Sequence, residues 1–253
     1  MAGNSQDTGS KVMGLQKSRN AGIEKPLEPE DRSTASSHSD AYHHGDLPQT
    51  LMNLALQHIS ASGTEKLSLR ALARDAGVSP TAPYKHFASK RCLLAALATQ
   101  GFQDLADRTH KIIVETPDLN DRVIAMSLGY IEFAKDNPTA YRLMFGSVLG
   151  DFSKYEMLHT AAVGAYDEVK RVLAEVALRN GYEGVNLEQF AGVVWALVHG
   201  LASLTIDPIS IGGGNASPMQ SIAQLKEDPE AAVRLLLDPV LEGSGTKADP
   251  AVP

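Results

Sequence analysis

Only one cysteine, Cys92, stands among 253 residues. A disulfide framework within the chain is therefore excluded, and a reducing cytosol is the expected compartment. No apolar core follows the first residues, MAGNSQDTGSK, so no secretory leader is expected there. No run reaching the roughly 20 apolar residues of a membrane span stands out. Alternating strand patterns are missing, as are internal repeats of 20–50 residues. So are the marks of catalysis: there is no nucleophile elbow and no pair of metal-ligand motifs. Gly212-Gly213-Gly214 is not followed by the Lys-Ser/Thr of a phosphate loop. These absences argue against an enzyme, a cofactor or a bound metal, and against a β-rich or membrane-spanning fold.

What is present suits a helical globular protein. Hydrophobic residues make up 43% and charged residues 21% of the chain, and the length supports a sizeable core. The net charge of −7 at first disfavours a nucleic-acid partner, but the charge is unevenly spread. Residues 1–42 carry five Lys/Arg against six Asp/Glu, residues 43–110 seven against five, and residues 111–253 eleven against nineteen. The only basic excess lies in one short segment, so the whole-chain charge says little about a surface that faces phosphate.

Residues 1–42 are rich in Ser, Gly, Pro and acidic residues and are expected to be a disordered tail. Helical periodicity begins at Leu47, with Leu51, Leu54, Ala55 and Ile59 on one face and Gly63 beyond the end. Ser68 is placed to cap a short helix carrying Leu69, Leu72, Ala73 and Ala76. After Gly77, Ser79-Pro80 restarts a helix with Ser at the N-cap and Pro at the first position. Ser89 opens a long helix that Pro117 interrupts. Further helices are expected around residues 123–134, over PTAYRLMF (138–145), over 154–179 up to Asn180-Gly181, and from an Asn186 cap, with Gln189 as a capping-box partner, through Ile206. A Gly-rich loop falls at 210–218. Asp228-Pro229 opens a last helix, stopped at Asp238-Pro239, and a loose tail follows Gly243. The fold class is all-α, with about nine helices.

The segment 47–87 has the arithmetic of a helix-turn-helix. Ala73 is small enough for two helices to cross closely. Gly77 can take positive φ in the turn. Val78 plugs the angle between the helices, and Phe87 anchors the far end to the core. The stretch GTEKLSLRALARDAGVSPTAPYKHFASKRCLLAAL resembles the DNA-binding domain of the tetracycline-repressor (TetR) family. The resemblance rests on Gly63, Leu69, Ala73, Ala76-Gly77-Val78-Ser79, Tyr84, His86-Phe87, Lys90 and Leu93-Leu94, in matching spacing. One departure is Pro83, inside the expected recognition helix. As its N4 residue Pro83 removes only the first intrahelical bond, so the helix is expected to persist, bent at its first turn. The resemblance implies a tail over 1–42, a helix-turn-helix domain over 43–88, a helical regulatory and dimerisation domain over 89–243, and a second tail over 244–253.

Candidate DNA-binding residues are Ser68, Ser79, Thr81, Ala82, Tyr84, Lys85, His86 and Lys90. Thr81 offers a hydroxyl to a base edge, Ala82 a methyl to thymine, and Lys85 a cation to guanine or phosphate. Tyr84 resembles the family's phosphate-contacting tyrosine; simple packing is the alternative. Lys90 and Arg91 open a helix, where cations oppose the dipole at a cost of ~0.3–1 kcal/mol each. A bound phosphate reverses that sign, whereas solvated surface charge is the alternative. His43 and His44 stand before the first helix, as backbone contacts or as tail.

In the C-terminal half, Trp195-Ala-Leu-Val-His199-Gly200 resembles the W…HG signature of one regulatory-domain class of the family. Trp195 and His199 share a helix face, and Gly192 and Gly200 admit a close helix neighbour. His199 is either a packing histidine or a ligand contact; with no second ligand at metal spacing, a metal role is disfavoured. Met126, Tyr130, Tyr141, Met144, Phe145, Trp195 and His199 are the candidate pocket residues, with Phe133 beside them; plain core is the alternative for each. Cys92 is either a redox sensor or a structural thiol. The resemblance implies a homodimer with a double-stranded operator and a small-molecule effector as partners. The reading is a repressor released by its ligand. An activator, a regulator without an inducer, an enzyme carrying a helix-turn-helix, and a helical scaffold are the alternatives.

Overall fold

A computed structural model describes residues 46–182, 184, 186–207, 223 and 225–242. Eight α-helices and two 3₁₀ segments are bounded within these residues, residues 225–227 are helical as well, and none of the described residues is in a strand. The helices are α1 (Leu47–Ser62), α2 (Leu69–Asp75), α3 (Lys90–Glu115), α4 (Leu119–Asp136), α5 (Pro138–Phe145), α6 (Glu156–Arg179), α7 (Leu187–Ile206) and α8 (Pro229–Leu241). The 3₁₀ segments are Ala82–Lys85 and Phe152–Lys154. The expectations for the tails, for His43 and His44 and for the Gly-rich loop fall outside the described residues.

Helix ends are set by side chains able to satisfy free backbone groups. The Ser89 hydroxyl accepts from the Cys92 amide, Asn186 Oδ1 from Glu188 and Gln189, and Asp228 Oδ1 from Ala231. No return bond from the Gln189 side chain to Asn186 is present among the described residues, so the capping box is half formed. Gly77 and Gly181 end α2 and α6 at φ 68° and 65°. In each case the two amides after the cap reach back to close a Schellman motif, Val78 to Ala73 and Gly77 to Arg74 in the first, Tyr182 to Ala177 and Gly181 to Leu178 in the second.

Helix α3 forms the spine. It packs on α4, α5 and α6, and its start meets α1. One continuous core runs from Leu51, Leu72 and Phe87 near the N-terminus, through Leu94 and Phe102, to Leu173 and Val198. Gly101 makes the α3–α5 approach possible, since a Cβ there would stand 2.6 Å from Met144 Sδ. Arg108 joins α3 to the Gly129 carbonyl and Asp136 of α4. Arg142 clamps α5 to the end of α7 through Asp207 and the Ile206 carbonyl.

Three expectations are corrected. Ser68 and Ser79 do not cap with their side chains: Ser68 Oγ makes no capping bond, and Ser79 Oγ meets Thr81 Oγ1 at 3.2 Å. The last helix does not stop at Asp238-Pro239 but runs to Leu241. Buried Leu237 and Leu241 anchor that final turn, and its free carbonyls are taken by Arg179, Asn180 and Tyr182. Finally, α7 is long and apolar enough to cross a membrane by length and composition, with mean hydropathy 1.5 over an 18-residue stretch that is only 22% buried. It is apolar on the face toward α4 and α6, at Ala191, Val194 and Val198, and also on the outside, at Val193 and Leu197.

Candidate nucleic-acid interface and ligand cavity

The segment after α2 departs from an α-helix. Pro83 has no N–H for the Ser79 carbonyl, and its ring crowds that group. Ala82 takes the Ser79 carbonyl instead, at 3.0 Å, and Tyr84 bonds Thr81 and His86 bonds Pro83 with the same i→i−3 spacing. Only Phe87, bonding Pro83 at 2.9 Å, recovers the α pattern before the chain leaves. The expected bent α-helix is thus a 3₁₀ turn.

The turn still divides its residues cleanly. Pro83 and Phe87 are buried against the core, while Ser79, Thr81, Tyr84, Lys85 and His86 are exposed and Ala82 is half-buried. Tyr84 keeps 48% of its surface open to solvent, which disfavours the packing alternative. Ser68, at the start of α2, is exposed with its hydroxyl free of a cap. Lys90 is half-buried, and its Nζ donates to the Glu65 carbonyl at 3.1 Å. It therefore ties the start of α3 to the α1–α2 loop, a role the sequence did not suggest; two of its three donors remain. Lys66 and Arg70 are also exposed beside Ser68. They were missed because a basic residue on a helix surface carries no signal of its own.

The second feature lies inside α3, α4, α6 and α7. A cavity of about 560 Å³ is lined by residues including Phe102 and Thr109 of α3, Met126 and Tyr130 of α4, Phe145 at the end of α5, Tyr166 and Val169 of α6, and Trp195 of α7. Of the seven candidate pocket residues, Met126, Tyr130, Phe145 and Trp195 line it. Met144 does not: it is fully buried under Gly101. Tyr141 and His199 stand behind the wall. The largest share of the missed lining comes from α6, where Ala162, Ala165, Tyr166, Val169, Val172 and Leu173 form a stripe at helical spacing. That stripe is legible as a buried face, but nothing in it separates a filled core from a hollow one.

At one wall of the cavity, five aromatic rings close on one another, three of them lining it. His199 stacks between Trp195 and Tyr141, with ring centroids 4.8 and 5.5 Å away, and Phe145 meets its edge at 4.8 Å. Its Nδ1 lies 2.7 Å from the Tyr141 hydroxyl and 2.9 Å from that of Tyr130, and the two hydroxyls are 3.2 Å apart. Burial lowers the His199 pKa, because the charged form is desolvated. Burial likewise raises both tyrosines. The trio is a neutral hydrogen-bonded unit at neutral pH.

Among the described residues, a Cβ at Gly192 or at Gly200 would meet nothing within 4 Å. Val193 is 60% exposed. Among the described residues, nothing covers the side of α7 that carries Val193, Leu197 and Gly200. Cys92 is half-buried, with Sγ 3.2 Å from the Ser89 hydroxyl. Among the described residues, no group of His, Cys, Asp and Glu is placed to hold a metal ion.

Comparison with known proteins agrees with this layout. Residues 51–97 match the model for bacterial regulatory proteins of the tetR family, and residues 123–238 match a tetracyclin repressor-like C-terminal domain. The nucleoid occlusion factor SlmA of Enterobacter sp. (strain 638) is 27% identical over 161 residues, covering 61% of this chain and 80% of that protein. The HTH-type transcriptional regulator Mb1846 of Mycobacterium bovis is 31% identical over 99 residues, 38% of this chain and 42% of that one. A solved structure of a Rhodococcus sp. RHA1 protein of unknown function aligns with TM-score 0.65 and 28% identity, over 81% of this chain and 98% of that one. An all-helical body with a helix-turn-helix at its N-terminal end, matched by family models at both ends, places this chain in the tetracycline-repressor family of DNA-binding transcriptional regulators.

Proposed function

We propose that the protein is a cytoplasmic homodimeric repressor, released from a palindromic operator by a small molecule that enters the cavity. It acts by binding alone, without catalysis, metal or cofactor. One observation carries this reading: two helices touch both the head and the cavity. Helix α3 is tied to the head at Lys90 and lines the cavity at Phe102, Leu105 and Thr109. Helix α5 packs on α1 and brings Phe145 to the cavity wall. A ligand that fits the cavity in only one arrangement of α3 and α5 shifts the head with them. By linkage, DNA binding then weakens ligand binding by the same factor.

In this reading the head spans 43–88 and the regulatory part 89–243, the two sharing one core. Thr81 and Lys85 read base edges, and Ser68, Ser79, Tyr84, His86 and Lys90 hold the backbone. Ala82, half-buried, offers its methyl at the edge of the contact. The 3₁₀ turn holds few residues, and one such element reads few bases, so two copies are needed, about one DNA turn (~34–36 Å) apart. The open faces of α6 and α7 supply the dimer contact. Val193, Leu197 and Gly200 recur along one side of α7, and Met157, Val163 and Leu178 stand exposed on α6.

The test is selection of bound fragments from the source genome at ~150 mM salt, where non-specific binding is weak. The expected result is one enriched palindrome, with the protein sedimenting as a dimer. Uniform recovery of all sequences would refute the reading. A Val193→Glu/Leu197→Glu protein is expected to be monomeric and to lose the enrichment.

A further inference from the structure

This inference rests on the regulator reading and concerns what its cavity admits. We propose that the effector is an uncharged, largely apolar molecule carrying one hydrogen-bond-accepting oxygen, which Tyr130 holds by its hydroxyl.

Charge is excluded by the wall. No Lys, Arg, Asp, Glu or His among the described residues lines the cavity. An ionised head group placed inside would lose its water and gain no partner, at a cost of several kcal/mol. Apolar area is favoured for the converse reason. Apart from the hydroxyls of Thr109, Ser127, Tyr130 and Tyr166, the lining is aliphatic and aromatic, and Phe102, Phe145, Phe152 and Trp195 offer ring faces and edges to a ligand.

The oxygen follows from the protons of the trio. Nδ1 of a neutral imidazole has one lone pair or one proton, and the two tyrosines bring one proton each. If Nδ1 is the acceptor, the two hydroxyls compete for a single lone pair. With an empty cavity they can share it in sequence, Tyr141 donating to Tyr130 and Tyr130 to Nδ1. Tyr141 also reaches Nδ1 directly, and its 2.7 Å distance is the shorter of the two. Tyr130 can therefore turn its proton to a ligand while Tyr141 takes over the nitrogen, and no buried group is left unpaired. If Nδ1 carries the proton instead, it donates to Tyr141, Tyr141 donates to Tyr130, and the Tyr130 proton is again the surplus one. Of these three residues only Tyr130 lines the cavity, while Tyr141 is 2% exposed. Either tautomer thus presents the ligand with one donor, supported from behind. Thr109 supplies a second polar contact on the opposite helix: its side chain is nearly buried, lines the cavity, and makes no hydrogen bond among the described residues.

Three probes of one shape test this: 4-acetylbiphenyl (a ketone), 4-ethylbiphenyl (no oxygen) and biphenyl-4-carboxylate (an anion). Binding to the full-length protein is followed by calorimetry and by emission of Trp195, the single tryptophan and a cavity residue. The ketone is expected to bind at least tenfold more tightly than the carboxylate. Tyr130→Phe should weaken the ketone roughly two- to tenfold, the range of one hydrogen bond, and leave the ethyl compound unchanged. With Nδ1 as the acceptor, Tyr141→Phe should act in the same direction although Tyr141 does not line the cavity, because Tyr130 must then stay on His199; with Nδ1 protonated it should leave the ketone unchanged, so this variant reads the tautomer. Melting curves confirm that both variants are folded. The proposal is overturned if the carboxylate binds as tightly as the ketone, if none of the probes binds, or if Tyr130→Phe weakens ketone and ethyl compound alike. Operator affinity, measured in parallel, separates the two readings. Ketone binding with the expected pattern but no loss of operator affinity would refute release and leave the ligand class standing. Release by an anion alone would do the reverse.

Discussion

The two working regions of this protein are built in opposite ways. The head places its chemistry on the outside: a short turn buries Pro83 and Phe87 and leaves Thr81, Tyr84, Lys85 and His86 to solvent. The regulatory part places it inside, as a space that α3, α4, α6 and α7 fail to fill. A surface written by neighbouring residues and a hollow written by distant ones need different kinds of information, and they answer differently to mutation. The core is nonetheless continuous between them, so neither region is free of the other.

The sharpest way to break this comparison is to damage the shared core from the head side. Phe87 is 7% exposed, and Phe87→Ala is expected to cost about 3–5 kcal/mol. Thermal unfolding should stay a single transition, with Trp195 emission and helical ellipticity lost together. If the head melted first while Trp195 kept its native emission, the two regions would be separate folding units.

Lys85→Ala touches only the outer surface. Operator affinity should fall by about 1–3 kcal/mol with relaxed preference at one position if Lys85 reads a base, or uniformly with a salt slope smaller by about 1 if it holds a phosphate. Stability and probe binding should not change. Unchanged operator affinity would remove Lys85 from the interface. Ala165→Phe is the matching test from within. Ala165 lines the cavity, so a phenyl ring there fills empty space and should raise stability by up to about 2 kcal/mol. Operator binding should persist and ligand response should vanish. A loss of stability would mean that the wall does not accept the ring in its existing shape.

How much of this was legible in the sequence divides along the same line. Helix ends written in caps and glycines were legible: Ser89, Asn186 and Asp228 open helices with side-chain bonds, and Gly77 and Gly181 close them. The helix-turn-helix and its family followed from contiguous residues. What failed depended on partners far along the chain or on geometry close at hand. Pro239 continues a helix because Arg179, Asn180 and Tyr182, some 60 residues away, hold its last carbonyls. Pro83 turned the expected recognition helix into a 3₁₀ turn, because Ala82 was free to take the carbonyl that Pro83 blocks. Met144 and Phe145 are neighbours with the same apolar character, yet one is core and the other cavity wall. Only the packing of α3 over Gly101 separates them.

The smallest expected effect concerns the trio behind the wall and its response to pH. Burial lowers the His199 pKa below its ordinary value of 6.5. The folded protein therefore resists a proton that the unfolded chain takes up. Where the unfolded chain binds more protons, stability rises with pH. The contribution of His199 is thus fully present above about pH 6.5 and is lost as pH falls from there toward the lowered folded value. Its half-exposed position keeps the effect modest. His199→Gln retains hydrogen-bonding capacity toward Tyr130 and Tyr141 but does not titrate. Between pH 7.5 and pH 5.5 the wild-type melting temperature should fall further than that of His199→Gln. Parallel pH curves for the two proteins would show that the imidazole is not held neutral by its surroundings, and the trio would then lose its part in orienting Tyr130.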